Sequence, residues 1–123
     1  MIYSELGGPG ASLSSEDLRA GLVSALEQFM PAARARRVIV VPPDITRFHS
    51  RAGELTVMAG EYYRDRLTDV LPAIGTHYPM TPAELNRMYP GLDHSLVRVH
   101  RFREDLVTLG RVPAEYLRER SGG

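Results

Sequence analysis

The sequence predicts an α/β domain built on a parallel sheet, and three observations point to it. Helix-period and strand-like segments alternate along the chain. The run Val38-Ile39-Val40-Val41 is β-branched with no polar alternation, as suits a strand covered on both faces. Polar clusters follow two of the strand-like runs, each just ahead of a helix, where open α/β sheets place ligand-binding groups. Parallel strands joined through helices require right-handed crossovers. The expected fold is therefore a Rossmann-like three-layer domain with a parallel sheet, incomplete at its C-terminal side.

The bulk composition bounds the function classes. At 123 residues the chain has the length of one domain, with 43% apolar and 24% charged residues as in ordinary globular proteins. Formal net charge is zero, so there is no basic footprint for nucleic acid or an anionic membrane. No apolar run approaches the roughly 20 residues of a membrane span. Met1-Ile2-Tyr3-Ser4-Glu5 lacks the basic and apolar regions of a signal peptide, so a cytoplasmic location is expected. Cysteine is absent, which excludes disulfides, thiolate metal sites and cysteine nucleophiles. All 15 basic residues are arginine, a bias consistent with GC-rich coding. No lysine is present to form a Schiff base or a covalent cofactor link.

Each element can be justified in order. Residues 1–13 contain Gly, Ser and Pro and form an expected flexible entry, with the α/β domain running over 14–123. Ser14 or Ser15 can cap a first helix, and Glu16 and Asp17 favour its positive end. Leu18, Leu22, Ala25, Leu26 and Phe29 recur on one face of that helix up to Pro31. The strand Val38–Val41 ends at Pro42-Pro43. A second helix from about Arg51 carries Leu55, Ala59 and Tyr62 along one side. Val70–Ile74 reads as a second strand, in which Pro72 removes a ladder donor and implies an edge position or a distortion.

Thr81 as N-cap, Pro82 at the first helical position and Glu84 closing a capping box then mark a sharp helix start. Met80 and Leu85 occupy the positions of a hydrophobic staple. Pro90-Gly91 stops this helix, and Leu96–His100 reads as a third, alternating strand. Periodicity leaves the remainder, Leu106 to Glu119, as either another strand or a short helix after Pro113.

Two strand-end segments concentrate the chemistry: Asp44 through Arg51, and Gly75 through Thr81. His77 is the acid/base candidate, because an imidazole titrates near neutrality; Gly75 allows close backbone approach and Thr76 can orient the ring. Arg47 can clamp a carboxylate or phosphate, while Asp44 can accept from a hydroxyl, fix that guanidinium, or simply cap the following turn. His49 and Arg51 extend the cluster or face solvent. His94 and His100 have no partner at metal-ligand spacing and read as packing or surface residues. No glycine-rich phosphate loop is present.

The two segments resemble the N-terminal domain of the lactate racemase family, the nickel-pincer-nucleotide-dependent 2-hydroxyacid racemases and epimerases. Asp44-Ile45-Thr46-Arg47 matches that family's Asp-x-Thr-Arg motif, Gly75–Thr81 matches Gly-Thr-His-x-Pro-Met-Thr, and Val99-His100 matches a later strand ending in His. The similarity runs from about Val38 to Leu109. It implies that Asp44, Ile45, Thr46 and Arg47 contact the cofactor, that Arg47 also lies near the substrate carboxylate, and that His77 takes the hydroxyl proton during proton-coupled hydride transfer. The continuation Phe48-His49-Ser50-Arg51 is more similar to members assigned to sugar acids. The tethering lysine, nickel-binding histidine and second acid/base histidine of that family have no counterparts here. The resemblance thus implies half of an isomerase site, inactive as an isolated chain, with a small hydroxy acid as ligand and a C-terminal domain or a homo-oligomeric partner. The reading from a different class is a non-catalytic anion- or nucleotide-binding or assembly domain that keeps Asp44 and Arg47 for an anion.

Overall fold

The computed structural model describes residues 2–122. Four helices, α1 (Ser15–Phe29), α2 (Ala52–Tyr63), α3 (Pro82–Met88) and α4 (Ala114–Ser121), accompany two strands, β1 (Val38–Val40) and β2 (Leu67–Val70). The strands pair in parallel, so the chain is of mixed α/β character. Among the described residues no helix is long and apolar enough to cross a membrane.

Of the two candidate caps for α1, Ser14 is the one used. Its backbone N–H donates to Asp17 Oδ2 at 2.8 Å and the Asp17 N–H donates to Ser14 Oγ at 3.1 Å, so both halves of a capping box are present. Leu18, Leu22, Ala25 and Leu26 are half-buried, and α1 packs on α2. Phe29 ends the stripe exposed, edge-on to Tyr3 at 5.6 Å.

The buried face of α2 comprises Gly53, Thr56, Met58, Ala59 and Tyr63, rotated from the expected line of Leu55, Ala59 and Tyr62. The reason lies at Gly53. A Cβ there would stand 2.1 Å from the Met88 carbonyl oxygen, so α2 meets the end of α3 backbone to backbone. That approach turns residue 53 and its helical neighbours inward. Tyr62 lies at the margin of the core, where its hydroxyl donates to Glu27 Oε1 at 2.6 Å and accepts from the Ala32 N–H at 3.1 Å.

Ala35, Tyr63, Leu67 and Val70 form the core, with Leu26, Val38, Val40, Leu92 and Val97 packed around them. In β1, Val38 and Val40 turn toward this core, but Ile39 and Val41 on the opposite side are 55% and 59% exposed. The expectation of a strand covered on both faces is therefore corrected: among the described residues only one face is covered. The reason is that the helices packed on the sheet gather on the Val38/Val40 side.

The second strand also lies earlier than expected. Leu67–Val70 pairs with β1, and the expected segment Val70–Ile74 continues beside it through bonds from Leu71 N–H to Val40 O (2.9 Å) and Ala73 N–H to Pro42 O (2.8 Å). The expected third strand is reduced to one parallel bridge, Val70 to Val97. Arg98 N–H donates to Val70 O at 2.8 Å. In a parallel ladder the next bond would run from residue 72 to the Arg98 carbonyl, and residue 72 is a proline. Pro72 thus ends the third strand after its first rung.

The start of α3 matches its sequence signature. Thr81 N–H donates to Glu84 Oε2 at 2.8 Å and Glu84 N–H to Thr81 Oγ1 at 3.3 Å. Past His100 the two alternatives resolve into a short helix after Pro113, while Leu106–Gly110 carries no regular structure.

Candidate functional site

The site forms where the chain leaves β1 and β2 on the same end of the sheet. After β1, Asp44 caps a 3-10 turn, Ile45–Ser50, with its Oδ1 accepting from Thr46 N–H at 3.0 Å and from Thr46 Oγ1 at 2.5 Å. After β2, the chain reverses between Ile74 and His77, closed by His77 N–H to Ile74 O at 2.9 Å. Gly75 takes φ 58° within this reversal, a conformation that glycine adopts without Cβ strain. The two turns bring Asp44 Oδ2 to 2.6 Å from His77 Nδ1.

Asp44 is only 4% exposed, whereas half of the His77 side chain faces solvent. Burial by itself raises the Asp44 carboxyl. The hydrogen bonds from Thr46 and His77 outweigh it and hold the group below the ordinary carboxylate range. Asp44 therefore remains ionised near neutral pH. A carboxylate can only accept, so His77 donates through Nδ1 and presents Nε2 outward. Tyr89 packs beneath the same turn, fully buried, and its hydroxyl donates to Pro43 O at 3.1 Å. Burial, reinforced by the Asp44 charge, pushes the Tyr89 phenol up to about 12, so it stays neutral and structural.

His77 opens on a cleft of about 370 Å³, with Thr76 and Tyr78 beside it and His100, Phe102 and Arg103 also in its wall. The structure thus brings Asp44, Thr46 and His77 into one hydrogen-bonded unit. Ile45 is half-buried in the turn. Arg47 sits at a kink in that turn (φ −105°, ψ 26°), exposed, and makes no ion pair with Asp44. Asp44 thus caps the turn and accepts from the Thr46 hydroxyl, and it does not fix the Arg47 guanidinium.

The other members of the sequence cluster go elsewhere. Arg51, in the left-handed region at φ 60°, donates to Glu54 Oε2 (2.7 Å), Leu13 O (2.7 Å) and Ser15 Oγ (2.9 Å), so it ties α1 to α2. His49 stands edge-on to Phe48 at 5.6 Å and lines a separate cleft between α1, α2 and α3. His94 contacts Tyr89 O through Nε2 at 3.2 Å.

Two features escape a reading of the sequence. Asp44 and His77 are 33 residues apart, and the available signal was their shared position at the ends of adjacent parallel strands. His100 reads in sequence as a packing or surface residue, apart from the resemblance of Val99-His100 to a strand ending in His, and it shares the cleft with His77. No protein-family model, curated protein or solved structure matches this chain.

Proposed function

We propose that this chain supplies the proton-transferring half of a 2-hydroxyacid racemase or epimerase site of the lactate racemase type, on a Rossmann-like α/β scaffold. The observation that carries the reading is the 2.6 Å contact between a buried carboxylate and the Nδ1 of a half-exposed imidazole. Asp44 holds one tautomer and stabilises the imidazolium that forms when Nε2 takes a proton. His77 Nε2 then accepts the hydroxyl proton of the hydroxy acid and can return it; the C–H bond that inversion breaks needs a hydride acceptor supplied from outside this chain. Thr46 keeps Asp44 oriented through two hydrogen bonds to a single carboxylate oxygen.

The nickel pincer nucleotide implied by the resemblance does not fit this chain alone. Lysine is absent from the sequence, so a covalent link to that cofactor has no attachment point here. The proposal is therefore confined to proton transfer and to binding of the hydroxy acid.

The test is His77→Ala in a racemase that carries this segment, with D- and L-lactate followed by chiral chromatography. Turnover should fall by about 10²–10⁴-fold with an unchanged circular dichroism spectrum. Unchanged turnover removes His77 from catalysis. The exposed Arg47 guanidinium, with no ion pair among the described residues, favours the second reading, a binding domain for a phosphate or nucleotide. Saturable AMP binding that depends on Arg47 and is indifferent to His77 would support it.

A further inference from the structure

A second cleft, of about 820 Å³, opens between α1, α2 and α3 and shares no lining residue with the cleft beside His77. Small-molecule sites span roughly 300–1,000 Å³. Its apolar wall is Phe48, Val57, Met58, Met88 and Pro90. Unbranched, polarisable methionines adapt to a flexible apolar chain. Most charges on the rim already have partners: Arg19 pairs with Glu61 at 2.5 Å and Arg51 with Glu54 at 2.7 Å. Arg87 makes no ion pair among the described residues, and its guanidinium lies over the Phe48 ring, 4.5 Å from the centroid. A guanidinium stacked by its face keeps its N–H edges free, the geometry that takes a carboxylate bidentately.

We propose that this cleft binds a fatty-acid-like carboxylate, with the head group on Arg87 and the acyl chain along Met58 and Met88. The ends of the cleft differ in sign. Glu16, on the first turn of α1, repels an anion there, and Arg87, on the last turn of α3, attracts one. His49 on the same rim adds no negative charge. One unpaired guanidinium matches a monoanion, whereas a phosphate monoester would bring a second charge without a partner. The site is separate from that of the hydroxy acid, which lacks the chain to cover this apolar wall.

The experiment uses the chain carrying ¹³C-methyl methionine, titrated with decanoate below its micellar concentration. The Met58 and Met88 methyls should shift saturably, while those of Met30 and Met80, which do not line the cleft, stay in place. Arg87→Ala, a change at an exposed position, should weaken decanoate by about tenfold, as for loss of a charge-assisted bond partly open to solvent. Arg87→Lys, which keeps the charge without the planar fork, should fall between the two. Decyltrimethylammonium, with the same chain and the opposite head charge, should bind the parent about tenfold more weakly than decanoate does. Absent shifts, or shifts confined to Met30 and Met80, overturn the site. Equal affinity of the parent and Arg87→Ala for decanoate, or of the parent for both amphiphiles, overturns the carboxylate. Met58 and Met88 methyls that move with protein concentration alone mark a contact between copies of this chain, and that result overturns the ligand site as well.

Discussion

Replacing Asp44 by Asn should invert the proton position on His77 while leaving the fold in place. The carboxylate accepts three hydrogen bonds, two from Thr46 on Oδ1 and one from His77 on Oδ2. An asparagine satisfies the two Thr46 donors only if its carbonyl takes the Oδ1 position. Its amide then faces His77 Nδ1 as a donor, so that nitrogen must become an acceptor and the ring proton moves to Nε2. A charge-assisted bond contributes roughly 1.5–3 kcal/mol and a neutral one about 1 kcal/mol, so the net loss is about 1–2 kcal/mol. Urea unfolding should show a midpoint lower by roughly 0.5–1 M with an unchanged slope.

The pH dependence follows from the direction of the Asp44 shift. Its folded value lies below the ordinary range, so the unfolded chain, near about 3.9, takes up the proton first as pH falls. The stabilisation is fully present above that unfolded value and is lost as pH falls through the folded one. Asp44→Asn should therefore flatten the acid limb of the stability profile. Long-range ¹H–¹⁵N spectra give the decisive readout. A His77 that keeps its proton on Nδ1 in Asp44→Asn, or an acid limb identical to that of the parent, would refute the reasoning.

Three further outcomes follow from the packing. Gly53→Ala would gain about 1 kcal/mol of helix propensity in an open helix, but its Cβ would meet the Met88 carbonyl at 2.1 Å; a net destabilisation of about 2 kcal/mol by urea titration is expected. Arg64 is a non-glycine residue at φ 52°, ψ −124°, so Arg64→Gly should relieve about 1 kcal/mol of strain and raise Tm by a few degrees in calorimetry. Pro72→Ala restores the N–H that the Arg98 carbonyl lacks. Residue 72 should then show a slowly exchanging amide in hydrogen–deuterium exchange, and rapid exchange there would contradict the account of the shortened third strand.

The features legible in the sequence were those decided within one turn of chain. Thr81 caps its helix with Glu84 three residues on and Pro82 takes the first helical position, as read; for the first helix the sequence offered Ser14 or Ser15, and the structure uses Ser14 with Asp17, while Asp44 takes the capping alternative through Thr46. These bonds join neighbours, so side-chain type and spacing suffice to specify them. The strand-like segments were legible as well, but their limits were not. Where β2 pairs, and where the third strand stops, depends on which N–H groups meet a partner across the sheet, and Pro72 has none.

What only the tertiary structure decided is what separated residues do to one another. The exposure of Ile39 and Val41 follows from which side the helices cover, and the rotation of α2 follows from its contact with the Met88 backbone. The site obeys the same division. By itself the sequence determined that a carboxylate and an imidazole stand at the ends of two strand segments. The parallel register of β1 and β2 determined that they touch and that Asp44 bonds His77 rather than pairing with Arg47, and the bridge from Val70 to Val97 determined that His100 enters the same cleft. Hydrogen bonds act over about 3 Å, and only the folded backbone brings groups 33 residues apart within that reach.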